Sequence, residues 1–221
     1  MEVVGHRANT VRWLRRHLAC TRSVEVDVYL RGGVPVAGHL LPRARPLLLR
    51  ERLARLLEGL HFTPSRPLRE LLAHVPPGSL VMLDLKDRVP PRLLADSLEE
   101  AGGLELVLVT RWHSDARALA EALPGARVLL SIDSRPAEPR ALVEAAGAHG
   151  VSVRASYIDH GLVEALHQGG YLVAAWTVNE PREALRLAEL GVDMIVSDVP
   201  CEIARALRAG RSSQARPPGV E

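Results

Sequence analysis

Eight short apolar runs alternate with amphipathic stretches along this chain, and that alternation restricts the fold more than any other feature. The runs fall at residues 3–4, 24–28, 80–85, 104–109, 128–132, 151–153, 172–176 and 194–196. Most are bounded by Gly or Pro, the pattern of parallel strands buried on both faces. The segments between them read as helices at 91–101, 114–123, 139–148, 181–190 and 200–209. Ser114 is expected to cap the second of these, and a proline opens the other four. Strand-helix repetition implies a parallel sheet with right-handed crossovers. Eight units predict a single TIM-like (β/α)8 barrel, with an open doubly wound sheet as the alternative. At 221 residues the chain is short for a barrel.

One stretch breaks the rhythm. Residues 35–39 read as an extra short strand after a Gly32-Gly33 turn, and 48–57 as an amphipathic helix. A shortened excursion therefore follows the second strand. Residues 1–209 are expected to form the barrel and 210–221 a disordered tail, since the tail has little to bury.

Composition narrows the function classes. A hydrophobic fraction of 47% and a net charge of +2 describe a folded domain. No apolar run approaches the roughly 20 residues of a membrane span. The opening Met1-Glu2-Val3-Val4 lacks the pattern of a secretory leader. The arginines are spread along the chain, unlike a nucleic-acid footprint. The expected partner is a small molecule, without nucleic acid or integral membrane contact, and the oligomeric state is open. Cys20 and Cys201 have no metal-ligand spacing and are too few for a disulfide framework. They read as two reduced thiols of a cytoplasmic protein.

In a barrel the chemistry lies at the C-terminal strand ends. Reading off those ends gives His6-Arg7, Glu25 with Asp27, His39, Asp84 with Lys86, Trp176 to Asn179, and Ser197-Asp198. Glu25 and Asp27 are two apart and share a strand face, opposite Val24, Val26 and Val28. Asp84 and Lys86 repeat the relation on the next strand. Three carboxylates converging on one mouth repel unless a cation lies among them, and an all-oxygen donor set suits Mg²⁺ or Ca²⁺. His6 and His39 offer a proton donor and acceptor near neutral pH. Arg7 and Lys86 can hold a phosphate. Metal, acid-base pair and phosphate clamp together describe phosphoester cleavage.

Plainer roles stand beside these. The other seven histidines read as surface or packing residues. Lys86 can pair with Asp84 or Glu25, Trp176 can be barrel packing, and Asp198 can cap the last helix. Lys86 is the single lysine among 28 basic residues, and a compact ammonium is not interchangeable with a guanidinium at a crowded phosphate site.

Several of these segments resemble the motifs of glycerophosphodiester phosphodiesterases. They are Gly5-His6-Arg7, Glu25-Val26-Asp27-Val28, the stretch Gly33 to His39, Leu83-Asp84-Leu85-Lys86, Ala175 to Asn179 and Gly191 to Pro200. The resemblance implies a TIM-like barrel that hydrolyses glycerophosphodiesters to glycerol 3-phosphate and an alcohol. It implies His6 and His39 as the acid-base pair and Glu25, Asp27 and Asp84 as ligands of a divalent metal. Arg7 and Lys86 would grip the phosphate, and Trp176 would line the glycerol side. The chain departs from the pattern at Ala8, where the family has Gly. Asn9-Thr10 follows Arg7 after only that Ala8, Leu40 replaces an Asp, and Asp84 replaces a longer Glu. These departures imply a trimmed, more open site. The alternative they raise is an impaired relative that binds a phosphoester without efficient turnover.

Overall fold

The computed structural model describes residues 1–38, 66–99 and 101–214, with the backbone alone for 211–214. The eight expected runs are strands: β1 (Glu2–Gly5), β2 (Ser23–Arg31), β5 (Leu80–Leu85), β6 (Glu105–Thr110), β7 (Ala126–Ile132), β8 (Gly150–Arg154), β9 (Leu172–Trp176) and β10 (Met194–Ser197). They pair in parallel in the order β1-β10-β9-β8-β7-β6-β5-β2, and β1 pairs with β2 to close the ring. The fold is a TIM-like barrel.

Period-two alternation sorts the strand residues into two cores. Val24, Val26 and Val28, with Val81, Leu83 and Leu85, point outward onto the helices. Val4, Leu80, Met82, Val107, Val109, Leu129, Ala174, Met194 and Val196 fill the interior. Inward positions nearer the strand ends are polar, so the apolar plug floors a polar mouth.

The helices are α1 (Val11–Leu18), α2 (Leu68–Leu72), α3 (Pro91–Leu98), α4 (Ala116–Ala122), α5 (Pro139–Ala146), α6 (His160–His167), α7 (Pro181–Glu189) and α8 (Pro200–Gln214). Proline opens α3, α5 and α7, where its missing N–H costs nothing. Thr10 caps α1, and Asp159 caps α6 by accepting from the Leu162 N–H at 2.7 Å. Gly147 ends α5 in the left-handed region at φ 65°. The expected Ser114 cap is not made. A 3₁₀ turn, His113–Asp115, precedes α4, and the Ser114 hydroxyl bonds to Asp115 instead. Helix α8 runs past Gly210, where the tail was expected to start, to Gln214. Residues 215–221 lie outside the described residues, as does the helix expected at 48–57. The extra strand is β3 (Val34–Ala37), antiparallel to the far half of β2, and β4 (Arg66–Pro67) pairs with it.

The reading of two reduced thiols is overturned. Cys20 and Cys201 are joined in a disulfide, with Cα atoms 5.2 Å apart across a sequence separation of 181. Pairing of β1 with β10 brings α1 beside the start of α8, and sequence spacing alone cannot reveal that closure. The free thiols that suggested a cytoplasmic location are therefore absent. Among the described residues no helix is long and apolar enough to cross a membrane.

Candidate active site

Strand register assembles the site. Gly5 is level with Ser197, so His6 and Asp198 leave β1 and β10 side by side. The His6 Nδ1 lies 2.7 Å from Asp198 Oδ1. Asn179 holds the other carboxylate oxygen, its Nδ2 donating to Oδ2 at 2.8 Å, and its Oδ1 accepts from the Asp198 N–H at 2.9 Å. Nδ1 thus carries the proton, and Nε2 lies 3.9 Å from Glu25 Oε2. Burial opposes the charge on His6, but the Asp198 hydrogen bond and the Glu25 charge outweigh it and raise its pKa. The same hydrogen bond pulls the Asp198 pKa down to about 2. Asp198 was expected to cap the last helix. Its carboxylate is instead taken by His6 and Asn179.

Level pairing of Asp27 with Asp84 across β2 and β5 brings the acids together. One ligand oxygen from each of Glu25, Asp27 and Asp84 lies within 4.8 Å of the others. Glu25 and Asp27 are buried. Burial first, then the neighbouring Asp27 charge, pushes the Glu25 pKa up to about 7. Buried oxygens Glu25 Oε1 and Asp84 Oδ1 accept no hydrogen bond. Orphaned acceptors converging in this way fit a hard divalent cation. The shorter Asp84 still reaches the cluster.

Lys86 pairs with both aspartates, at 2.8 Å from Asp27 Oδ1 and in close contact with Asp84. Burial works against its charge, but Asp84, Asp27 and Glu25 hold it protonated. The pairing weighed for Asp84 is present, and Asp27 rather than Glu25 is the second partner. Two of the three ammonium donors are engaged, leaving one for a phosphate oxygen. Arg7 is the one described non-glycine residue with positive φ, 55°. Its N–H donates to Glu25 Oε2 at 2.7 Å, and its Nε is buried with no hydrogen-bond partner among the described residues.

His6, Arg7, Glu25, Asp84 and Lys86 share a cleft of about 130 Å³ at the strand ends, lined also by Arg111, Ser131, Ser152 and Trp176. Trp176 packs on the interior core and lines the cleft, with the Arg154 guanidinium 5.1 Å from its ring centre. His39 and Leu40 lie outside the described residues. A larger cavity of about 440 Å³ lies at the opposite end, beside Glu2 and Arg22, and holds none of this chemistry.

Sequence reasoning missed four contributors. Asn9 clamps Asp27 both ways, Nδ2 donating to Oδ2 at 2.8 Å and Oδ1 accepting from the Asp27 N–H at 2.9 Å. Asn9-Thr10, one residue after Arg7, thus supplies a carboxylate clamp and a helix cap without a long loop. Arg111 directly follows β6, so the rule that chemistry follows strand ends would have found it. Asn179 was in view without a role. Asp198 was in view at its strand end, but its partner is 192 residues away.

A sequence profile described as "Glycerophosphoryl diester phosphodiesterase family" matches residues 83–202. No curated protein matches the chain. Among solved structures, the chain is similar to an Oleispira antarctica phosphodiesterase in complex with the product sn-glycerol 3-phosphate, with TM-score 0.74 and 24% identity over 94% of this chain and 97% of that one. It is also similar to glycerophosphodiester phosphodiesterases of Parabacteroides distasonis and Thermotoga maritima. The first gives TM-score 0.72 and 17% identity over 96% and 98% of the two chains. The second gives 0.69 and 20% over 93% and 97%. The structural likeness covers the whole barrel and the profile covers more than half of the sequence, and on that match the chain belongs to the glycerophosphoryl diester phosphodiesterase family and is an enzyme of that class.

Proposed function

We propose that this enzyme cleaves glycerophosphodiesters to glycerol 3-phosphate and an alcohol with a divalent ion, Mg²⁺ or Ca²⁺, held by Glu25, Asp27 and Asp84. The observation that carries the reading is the orphaned carboxylate oxygens beside a histidine whose Nδ1 is locked on Asp198. The bound product of the Oleispira phosphodiesterase supports the same substrate class. When bound, the ion offsets the acidic cluster and polarises a phosphoryl oxygen.

In this reading the substrate's neighbouring glycerol hydroxyl attacks phosphorus. The P–O bond to the alcohol breaks and a cyclic phosphate forms. One of His6 and His39 takes the hydroxyl proton and the other protonates the departing oxygen, and water then opens the ring with the roles reversed. The lock on Nδ1 leaves His6 Nε2 as the exchanging atom. The unpartnered Arg7 Nε and the third Lys86 donor hold the phosphate oxygens, and Trp176 lines the glycerol side.

The test is turnover of glycerophosphocholine with Mg²⁺, with Ca²⁺ and with EDTA. Activity is expected with at least one ion and none in EDTA. Full activity in EDTA would remove the metal from the scheme. No turnover with either ion, with glycerol phosphate still raising the Tm, would favour a binding protein.

The pH dependence of ion binding follows from Glu25. Its folded-state pKa is raised, so below about 7 a proton occupies the carboxylate and competes with the cation. In the ion-free protein, ionising Glu25 costs stability as pH rises from its unfolded value toward 7. The Tm increment produced by Ca²⁺ should therefore grow between pH 5.5 and pH 8. An increment equal at both pH values would contradict the role of Glu25.

A further inference from the structure

A second histidine touches the backbone of the first. His17, on the buried face of α1, is only 2% exposed. Its Nε2 lies 3.0 Å from the His6 carbonyl oxygen. A carbonyl only accepts, so Nε2 carries the proton and donates it. Burial lowers the His17 pKa, which keeps the ring neutral. Close approach is possible because residue 5 is glycine. A Cβ there would lie 2.5 Å from His17 Cγ.

The peptide unit between His6 and Arg7 is thereby held at both ends. Its carbonyl accepts from His17, and its N–H donates to Glu25 Oε2 at 2.7 Å. Clamping is needed here because Arg7 sits at φ 55°, a conformation that a non-glycine side chain holds only when its surroundings impose it. That peptide sets the direction in which the His6 ring leaves β1. Asp198 then fixes the ring about its own bonds.

We propose that His17 is a positioning residue for His6, its Nε2–H fixing the His6 carbonyl and so the approach of the His6 ring to the substrate. The proposal rests on the reading of His6 as a proton-transfer group. Glutamine places an Nε2 donor the same number of bonds from Cβ, whereas leucine fills similar space without a donor. His17→Leu is expected to lower kcat at least about tenfold, since a misplacement of about 1 Å can cost about 10²-fold. KM should stay within about twofold. His17→Gln should recover kcat to within about threefold of wild type, even where both variants lose similar Tm.

The proposal fails if kcat follows Tm, with the leucine and glutamine variants equally active or equally impaired. A His6→Ala background separates the two ideas. If His6→Ala alone is near wild type, the role of His6 fails. If His6→Ala is inactive and His17→Leu is fully active, only the positioning role fails. If both hold, adding His17→Leu to His6→Ala lowers the residual rate no further, because the two residues act as one unit.

Discussion

His6→Ala should lower kcat on a glycerophosphodiester by about 10²–10⁴-fold, the range typical of a general acid-base group. KM should change by less than about threefold. The geometry supports this split. Among the described residues His6 makes its one side-chain hydrogen bond to Asp198, 2.7 Å away, and no ligand oxygen of the acidic cluster is hydrogen-bonded to it. Glu25 is held through the Arg7 N–H, and Asp27 through Asn9 and Lys86. The Tm rise produced by Ca²⁺ should therefore survive in His6→Ala. Wild-type turnover in this variant would end the acid-base assignment. A collapse of the Ca²⁺ response would mean that His6 builds the cluster, and the kinetic loss would then say nothing about proton transfer. Asp198→Asn offers a graded control. An amide keeps the shape but can present its NH2 to Nδ1 and favour the wrong tautomer, so kcat should fall while substrate binding persists.

How much of this was legible depended on distance along the chain. Period-two alternation on β2 and β5 put Glu25, Asp27, Asp84 and Lys86 on inward faces, and the acids meet in the structure. That inference needed only strand geometry, which is local. The proline-led helix starts are local as well. Contacts across the ring closure were out of reach. Asp198 and Cys201 follow the eighth barrel strand, while His6 and Cys20 flank the first helix. Only the parallel register of Gly5 with Ser197 makes each pair neighbours. His17 was among the seven histidines read as surface or packing residues, and α1 does present it with Leu14 on one buried face. Packing is part of its role, but the absent Cβ of Gly5 also lets its ring reach a backbone carbonyl, and a helical pattern does not show that. Asn9 was visible and undervalued. A buried amide facing a buried carboxylate becomes informative once their separation in space is known.

Reduction of the Cys20–Cys201 bond should destabilise the protein while leaving its turnover nearly unchanged. The cross-link joins residues 181 positions apart in sequence, tying the end of α1 to the start of α8. In the chain-entropy account a loop of that size removes about 5 kcal/mol of freedom from the unfolded ensemble, and native disulfides typically contribute about 2–4. For a chain of this length each kcal/mol moves Tm by about 2–4 °C. Dithiothreitol should then lower Tm by about 4–16 °C. Cys20→Ser should match the reduced protein and show no further response to reductant. The effect acts on the unfolded chain, so kcat of the reduced enzyme at 25 °C should stay within about threefold of the oxidised form. Two outcomes would count against this account. Equal Tm with and without reductant, together with two titratable thiols in the unfolded, unreduced chain, would show that the bond does not form. A large loss of kcat far below Tm would show that the bond acts on the native site. Cys20 lies three residues beyond His17 and Cys201 three beyond Asp198, the two groups that hold His6 from its carbonyl and from its ring, and through them such an effect would reach His6.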